Sequence, residues 1–124
     1  MKDYSNNSNL FFGIKCQSNL INHSSTFYIC KDKLKNILKE IYFNNNNEIS
    51  LNQLDINQEN NLQTIIKEYS LCKKQNGFIP PITFYTDFIG TNISKQMNNL
   101  SPQQRIDLKN KSTKVYQIIK SSIN

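Results

Sequence analysis

The segment SPQQRIDLKNKSTKVYQIIK, residues 101–120, has the clearest helix start in the chain. Ser101 is a favourable N-cap, Pro102 suits the first helical position, and Gln104 completes a Ser-x-x-Gln capping box. A helix turns by about 100° per residue, so positions three and four residues apart share one side. That side is formed by Leu108, Ser112, Val115 and Ile119. The segment is therefore predicted to form a helix that packs this stripe on the rest of the domain.

The opposite side of the same helix is polar and basic. Its centre is formed by Ile106, Asn110, Thr113 and Gln117. Its flanks carry Lys109 and Lys120 on one side and Lys114 on the other. Residues 101–124 contain five basic residues and one acidic residue, which contribute +4 to the net charge of +6. A solvated helix face is also polar and rich in lysine, so this pattern leaves two interpretations open.

A basic helix of this kind suits the major groove of duplex DNA. In that groove an Asn side chain can pair with adenine through two hydrogen bonds, and an Ile or Thr methyl group can contact the methyl group of thymine. Flanking lysines would reach phosphates, which adds affinity without sequence information. The candidate DNA-binding residues are Arg105, Ile106, Lys109, Asn110, Thr113, Lys114 and Gln117.

The whole chain is also basic and has the size of one domain. It has 124 residues, with 15 Lys and Arg against 9 Asp and Glu, and 37% of its residues are hydrophobic. Such a charge balance attracts phosphate-rich or anionic partners. Three cysteines without CxxC spacing argue against a disulfide framework and favour reduced thiols in the cytosol or nucleus. No apolar run approaches the roughly 18 residues that a membrane helix needs, so no membrane partner is expected.

Outward from the last helix, the chain divides into a polar arm and a helical domain. Residues 1–25 are rich in Asn and Ser and are predicted to be a disordered arm. Residues 30–124 are predicted to be the domain. Asp32 is placed to cap the first helix, whose apolar face repeats at helical spacing. That face is formed by Leu34, Ile37, Leu38 and Ile41.

Two further helices are predicted between that helix and the last. The run of Asn at 44–47 ends the first helix and acts as a flexible connection. A stronger helix covers residues 58–75, and Asn76-Gly77 ends it because Gly readily adopts a positive φ. A third spans the aromatic segment before residue 100 and is interrupted near Gly90. Three or four helices without a pair of strands indicate an all-α bundle.

The string QRIDLKNK in the last helix resembles the recognition helix of homeodomains, whose family pattern reads I/V-W-F-x-N-R. Ile106 stands at the apolar base-contacting position, and Asn110 stands at the adenine-reading position. Leu108 stands where the family has a buried Phe, and Lys111 where it has the Arg beside the Asn. Asp107 occupies the position of the family's Trp, which is a departure from the pattern and bears on how the helix packs.

This resemblance implies a homeodomain-like bundle of three to four helices and a sequence-specific transcription regulator that acts in the nucleus. Its partners would be double-stranded DNA and another transcription regulator. The small, basic, Asn-rich chain is also similar to the mating-type regulators of social amoebae. A second family, the HMG box, is similar at PITFY, residues 81–85, and at LSPQQR, residues 100–105, and it likewise implies DNA binding.

Other classes of function have little support in the residues. The single histidine, His23, lies in the polar arm, so a histidine-based triad or metal site is not expected. Three scattered glycines form no phosphate-binding loop, and neither an enzyme activity nor a cofactor is predicted. The alternative to DNA binding is a helical protein-interaction adaptor without nucleic-acid binding. Its partner would dock on the apolar stripe that runs from Leu34 to Ile41.

Overall fold

The residues that the structure describes fold into a small bundle of four α-helices. The computed structural model describes the backbone of residues 18–123 and the side chains of residues 27–123. The helices are α1 (Ser18–Tyr42), α2 (Ile56–Ser70), α3 (Pro81–Phe88) and α4 (Pro102–Ser122). A π-helical turn, Ile89–Ile93, and a 3-10 segment, Ser94–Asn99, connect α3 to α4. No strand forms across the described backbone, so the predicted all-α class is confirmed.

Helix α1 begins earlier than the sequence pattern indicated. Asp32, which we expected to cap it, lies in its interior. The reason is that Phe27 and Cys30 continue the apolar repeat toward the N-terminus and are buried near the C-terminal end of α2. Residues 18–25 therefore belong to this helix, whereas we expected them to be part of a disordered arm. The expectation of disorder for residues 1–17 lies outside the described residues.

The loop between α1 and α2 is a hydrogen-bonded turn rather than a flexible connection. The side-chain oxygen of Asn44 accepts hydrogen bonds from the backbone N–H groups of Asn46 and Glu48, at 2.9 and 3.0 Å. Asn47 takes a positive φ of 62°, a conformation that Asn tolerates better than most residues. The side chain of Asn44, which bonds to the backbone of the residues that follow it, therefore gives this run a defined shape.

Helix α2 starts at a capping box that was not predicted. The Asp55 carboxylate accepts a hydrogen bond from the Gln58 N–H at 2.7 Å, and the Gln58 side chain accepts one from the Asp55 N–H at 3.1 Å. The helix ends at Ser70, before the predicted end at residue 75. The chain then turns up to Gly77, whose φ of 77° confirms the expected positive φ, although this glycine lies beyond the helix rather than at its end.

The third predicted helix changes pitch at the expected place. Helix α3 is regular to Phe88, and the predicted break near Gly90 falls inside the π-helical turn. Asn92 donates a side-chain N–H to the Phe88 carbonyl at 3.1 Å, and Ser94 donates its hydroxyl to the Ile89 carbonyl at 3.4 Å. These side chains satisfy carbonyl groups where the helix widens. The chain then reaches α4 through the 3-10 segment and a short turn.

The core collects apolar side chains from all four helices and from the π-helical turn. The buried residues are Phe27, Cys30, Leu34, Ile37, Leu38, Ile41, Tyr42, Leu62, Ile66, Tyr69, Cys72, Tyr85, Phe88, Ile93, Leu108, Val115, Ile118 and Ile119. Aromatic rings pack against one another in and beside this core, where the Tyr69 ring lies 5.7 Å from the Phe27 ring and 5.3 Å from the Phe78 ring. The apolar surface is thus gathered in one place, which a chain with few hydrophobic residues needs.

The apolar stripe of α1 faces this core. Its exposed fractions are 0% for Leu34, 5% for Ile37, 0% for Leu38 and 1% for Ile41. The stripe is covered because α1 packs extensively against α2. The surface on which we expected the partner of an adaptor to dock therefore lies inside the domain. That part of the adaptor interpretation is wrong.

Candidate nucleic-acid interface

The N-terminus of α4 has the form predicted for it. The Ser101 hydroxyl accepts a hydrogen bond from the Gln104 N–H at 3.2 Å, and the Gln104 side chain accepts one from the Ser101 N–H at 2.9 Å. Pro102 occupies the first turn, where its missing N–H costs nothing because that group has no partner inside a helix. These local interactions fix where the helix starts, and with it the direction in which each later side chain emerges.

One side of α4 packs against α2 and α3. Leu108, Val115 and Ile119 are at most 2% exposed, and Ser112 is half-buried. Ile118 joins them at 6%. The predicted apolar stripe is therefore confirmed, and the opposite side of the helix faces outward.

Six of the seven candidate residues lie on this outward side, which we call the outward face: Ile106, Lys109, Asn110, Thr113, Lys114 and Gln117. Arg105 is exposed as well, but it lies beside the packed side, about 60° from Leu108 around the helix. Lys120 is exposed on the same side. The one carboxylate of α4, Asp107, is half-buried at the border and accepts a hydrogen bond from the Gln103 side chain at 3.2 Å. The outward face therefore carries three cationic side chains and no acidic side chain of its own helix.

The centre of the outward face offers free hydrogen-bonding groups beside apolar ones. Among the side chains that the structure describes, the amides of Asn110 and Gln117 have no hydrogen-bond partner. Ile106 is 51% exposed. The Thr113 hydroxyl donates to the Lys109 carbonyl at 3.0 Å, which satisfies its donor within the helix. Two free amides next to two methyl-bearing side chains suit the base edges of the major groove.

The cations around this centre differ in whether a protein group already binds or compensates them. The Arg105 Nε–H donates to the Met97 carbonyl at 3.1 Å, which holds the side chain against the 3-10 segment. The Lys114 ammonium lies 3.9 Å from the Glu59 carboxylate of α2, so part of its charge is already compensated. Lys109 forms no ion pair with any side chain that the structure describes. Lys109 is therefore more available to a phosphate than Lys114.

Lys111 does not reach the outward face, although the homeodomain resemblance placed it beside the adenine-reading position. Its side chain is 1% exposed, and its ammonium donates to the Ser50 carbonyl at 2.9 Å and lies 5.6 Å from the centre of the Tyr42 ring. Burial disfavours the charged form and lowers the pKa of Lys111 to about 8. The sequence contained the signal for this position, because Lys111 follows Leu108 by three residues and precedes Val115 by four.

Hydrogen bonds among a group of hydroxyls connect α4 to α1 and α3. The Tyr42 and Tyr85 hydroxyl oxygens are 2.6 Å apart, and the Tyr42 oxygen is 3.0 Å from the Ser112 hydroxyl. The Tyr85 hydroxyl also donates to the Ser112 carbonyl at 3.2 Å. Burial raises the pKa of both tyrosines above the ordinary value. This group could not be foreseen from local sequence, because Tyr42 and Ser112 are 70 residues apart.

Comparison with known proteins identified no relative of this chain. No protein-family model matches the chain. Neither a curated protein nor a solved structure matches it. Within residues 18–123, no helix is both long enough and apolar enough to cross a membrane. The function is therefore inferred from the chemistry of α4 and its neighbours.

Proposed function

We propose that the chain is a sequence-specific DNA-binding transcription regulator that places α4 in the major groove. The observation that carries the proposal is the outward face, which has three cationic side chains, no acidic side chain of α4 and two free amides. Helix α4 has 21 residues and is about 30 Å long, and a groove about 12 Å wide admits such a helix. The resemblance of this helix to homeodomains supports the same function, and a regulator of this kind acts in the nucleus.

The centre of the outward face would read bases, and its border would hold phosphates. Asn110 and Gln117 each offer an amide that pairs with adenine through two hydrogen bonds. Ile106 and Thr113 offer methyl groups that contact thymine. Lys109 would neutralise a phosphate and release a condensed counterion, which adds affinity for every sequence alike.

Titration of duplex DNA tests this function. A site is selected from a random duplex library with the full chain and is then titrated at about 50 mM salt. We expect Asn110→Ala to lose roughly 1–3 kcal/mol on the selected site and to relax the preference at one base pair. Lys35→Gln, on the exposed side of α1, is the control and should bind nearly like the wild type. Failure of the wild type to bind any selected or random duplex would refute DNA binding.

The cations at the border are expected to contribute unequally. Lys109→Gln should weaken all duplexes alike and reduce the slope of log affinity against log salt by about one unit. Lys114→Gln should reduce the slope by less, because the Glu59 carboxylate at 3.9 Å already compensates part of that charge. Fluorescence titrations between about 50 and 200 mM salt measure both slopes. Equal reductions would contradict the inequality and mean that the pair of Lys114 and Glu59 separates on DNA.

A protein partner is the second candidate, and one observation favours it. Ile106 and Tyr116 are 51% and 39% exposed beside a shallow apolar groove between α4 and the segment formed by α3 and the π-helical turn. Arg105 and Lys109 line the same groove, so it suits a partner helix that carries apolar and acidic side chains. An adaptor of this kind would bind an acidic amphipathic peptide but no duplex, and Ile106→Ser would abolish the peptide binding.

A further inference from the structure

Another concave site lies where α2 ends, α3 begins and α4 ends. It is a cavity of about 550 Å³. Its largely apolar wall is formed by Leu71, Phe78, Pro80, Pro81 and Ile123. The seven residues that we assign to DNA contact do not line it. A cavity of this size and composition is typical of small-molecule sites in proteins.

Lysines give this cavity a strong positive charge. Lys67, Lys73 and Lys74 line it together with the apolar residues, and all three are exposed. Among the described residues that line it, none carries a carboxylate. Among the side chains that the structure describes, ion pairs are formed by Lys33 and Lys114 but by none of these three lysines. The cavity thus combines an apolar wall with a positive charge that no neighbouring group compensates within the described residues.

A buried hydroxyl group gives this cavity a hydrogen-bond donor for an oxygen acceptor. The Ser70 hydroxyl oxygen is buried and has no hydrogen-bond partner among the described residues, and Ser70 lines the cavity.

We propose that this cavity binds a small apolar anion, a carboxylate that carries an aliphatic or aromatic body. The carboxylate would lie near Lys73 and Lys74 and accept a hydrogen bond from Ser70, while the body would cover Phe78 and Pro80. Removal of apolar surface from water would drive the binding of the body. The lysines would select a charged head over a neutral one. This site is additional to DNA binding and does not depend on it.

Titration of the full chain with octanoate, followed by backbone amide chemical shifts, tests the site. We expect saturable binding with shifts confined to residues 67–82 and Ile123, and none at Asn110. Octanol has the same chain without the charge and should bind at least about tenfold more weakly. Binding that does not saturate, shifts centred on the outward face, or equal binding of octanoate and octanol would overturn the proposal.

Two double variants with the same loss of charge separate this site from general electrostatic attraction. Lys73→Gln with Lys74→Gln should weaken octanoate about three- to tenfold, whereas Lys35→Gln with Lys39→Gln should change its affinity less than about twofold. All four lysines are exposed, so helical circular dichroism and thermal midpoints should match the wild type. Equal weakening in the two double variants would overturn the proposal. Displacement of octanoate by duplex DNA would do so as well, because it would assign these lysines to a nucleic-acid surface.

Discussion

Lys111 places an ammonium group on the side of α4 that otherwise buries apolar side chains. Burying a charge costs free energy unless hydrogen bonds compensate it. Here the Ser50 carbonyl accepts a hydrogen bond at 2.9 Å, and the Tyr42 ring lies 5.6 Å away, where its negative face attracts a cation. The part of the cost that remains appears as a pKa lowered to about 8. The residue thereby holds the loop between α1 and α2 against α4.

The lowered pKa of Lys111 predicts a gain in stability at alkaline pH. Below about pH 8 the residue is protonated in both the folded and the unfolded chain, so its contribution is constant. Between that pH and the ordinary lysine pKa of 10.5, the folded chain releases the proton first, and folding becomes more favourable. We expect the free energy of unfolding of the wild type to rise by roughly 1–2 kcal/mol relative to Lys111→Met between about pH 7.5 and pH 9.5.

Urea unfolding at several pH values measures this difference. The comparison with Lys111→Met is needed because burial raises the pKa of Tyr42 and raises that of Cys30 to about 11. The stabilising contribution of those two groups is present at neutral pH and is lost as the pH rises, in both chains alike. Lys35→Met is the control, and its difference from the wild type should stay constant. A constant difference for Lys111→Met too would show that the ammonium is not buried.

At the scale of the element, the packed side of α4 contributes to stability, and the outward face is the side that we propose contacts DNA. Leu108 is 2% exposed, and Leu108→Ala should cost roughly 2–5 kcal/mol, as large-to-small changes in packed sites do. Thr113 lies on the outward face, and Thr113→Ala should change the free energy of unfolding by less than about 0.5 kcal/mol. Chemical denaturation of both variants measures these costs. The reverse ranking would mean that the helix is rotated in solution.

Helix α4 could be predicted from the sequence because its signals are local. Ser101 and Gln104 define its start within one turn, and the apolar spacing then fixes which side is buried. The exposure of six of the seven candidate residues follows from that rotation, and Arg105 is exposed in the first turn of the helix. Their contact with DNA stays a prediction. Lys111 was missed because lysine is rarely buried, and because its partner, Ser50, is 61 residues away.

The early start of helix α1 could not be predicted from the local sequence pattern. Phe27 and Cys30 lie in a β-prone stretch, and the partners that bury them, near Tyr69 and Cys72, come about 40 residues later in the chain. The cavity with the three lysines could not be predicted either, because its wall combines the ends of three helices that no sequence motif connects. The start of α2, in contrast, could have been predicted from the sequence. Asp55 and its capping partner are three residues apart, so the signal for this N-cap is local.

At the scale of the whole molecule, the elements differ in how many buried residues they contribute. Helices α1, α2 and α4 each contribute several buried residues, whereas the 3-10 segment Ser94–Asn99 contributes none. Segments with few buried contacts open locally at a lower free energy than the core. We expect the amides of this segment to exchange at least about tenfold faster than those of residues 111–119. Hydrogen exchange followed by NMR measures both rates. Similar protection would mean that the segment opens only with the whole domain.

The contacts of Lys111 with Ser50 and of Tyr42 with Ser112 join positions 61 and 70 residues apart. Contacts of such separation form only after a long loop has closed, so we expect them to form late on the folding pathway. An interaction that is absent from the transition state slows unfolding and leaves the folding rate almost unaltered. The buried lysine and the tyrosine hydroxyl would therefore determine the lifetime of the folded chain more than the speed with which it is reached.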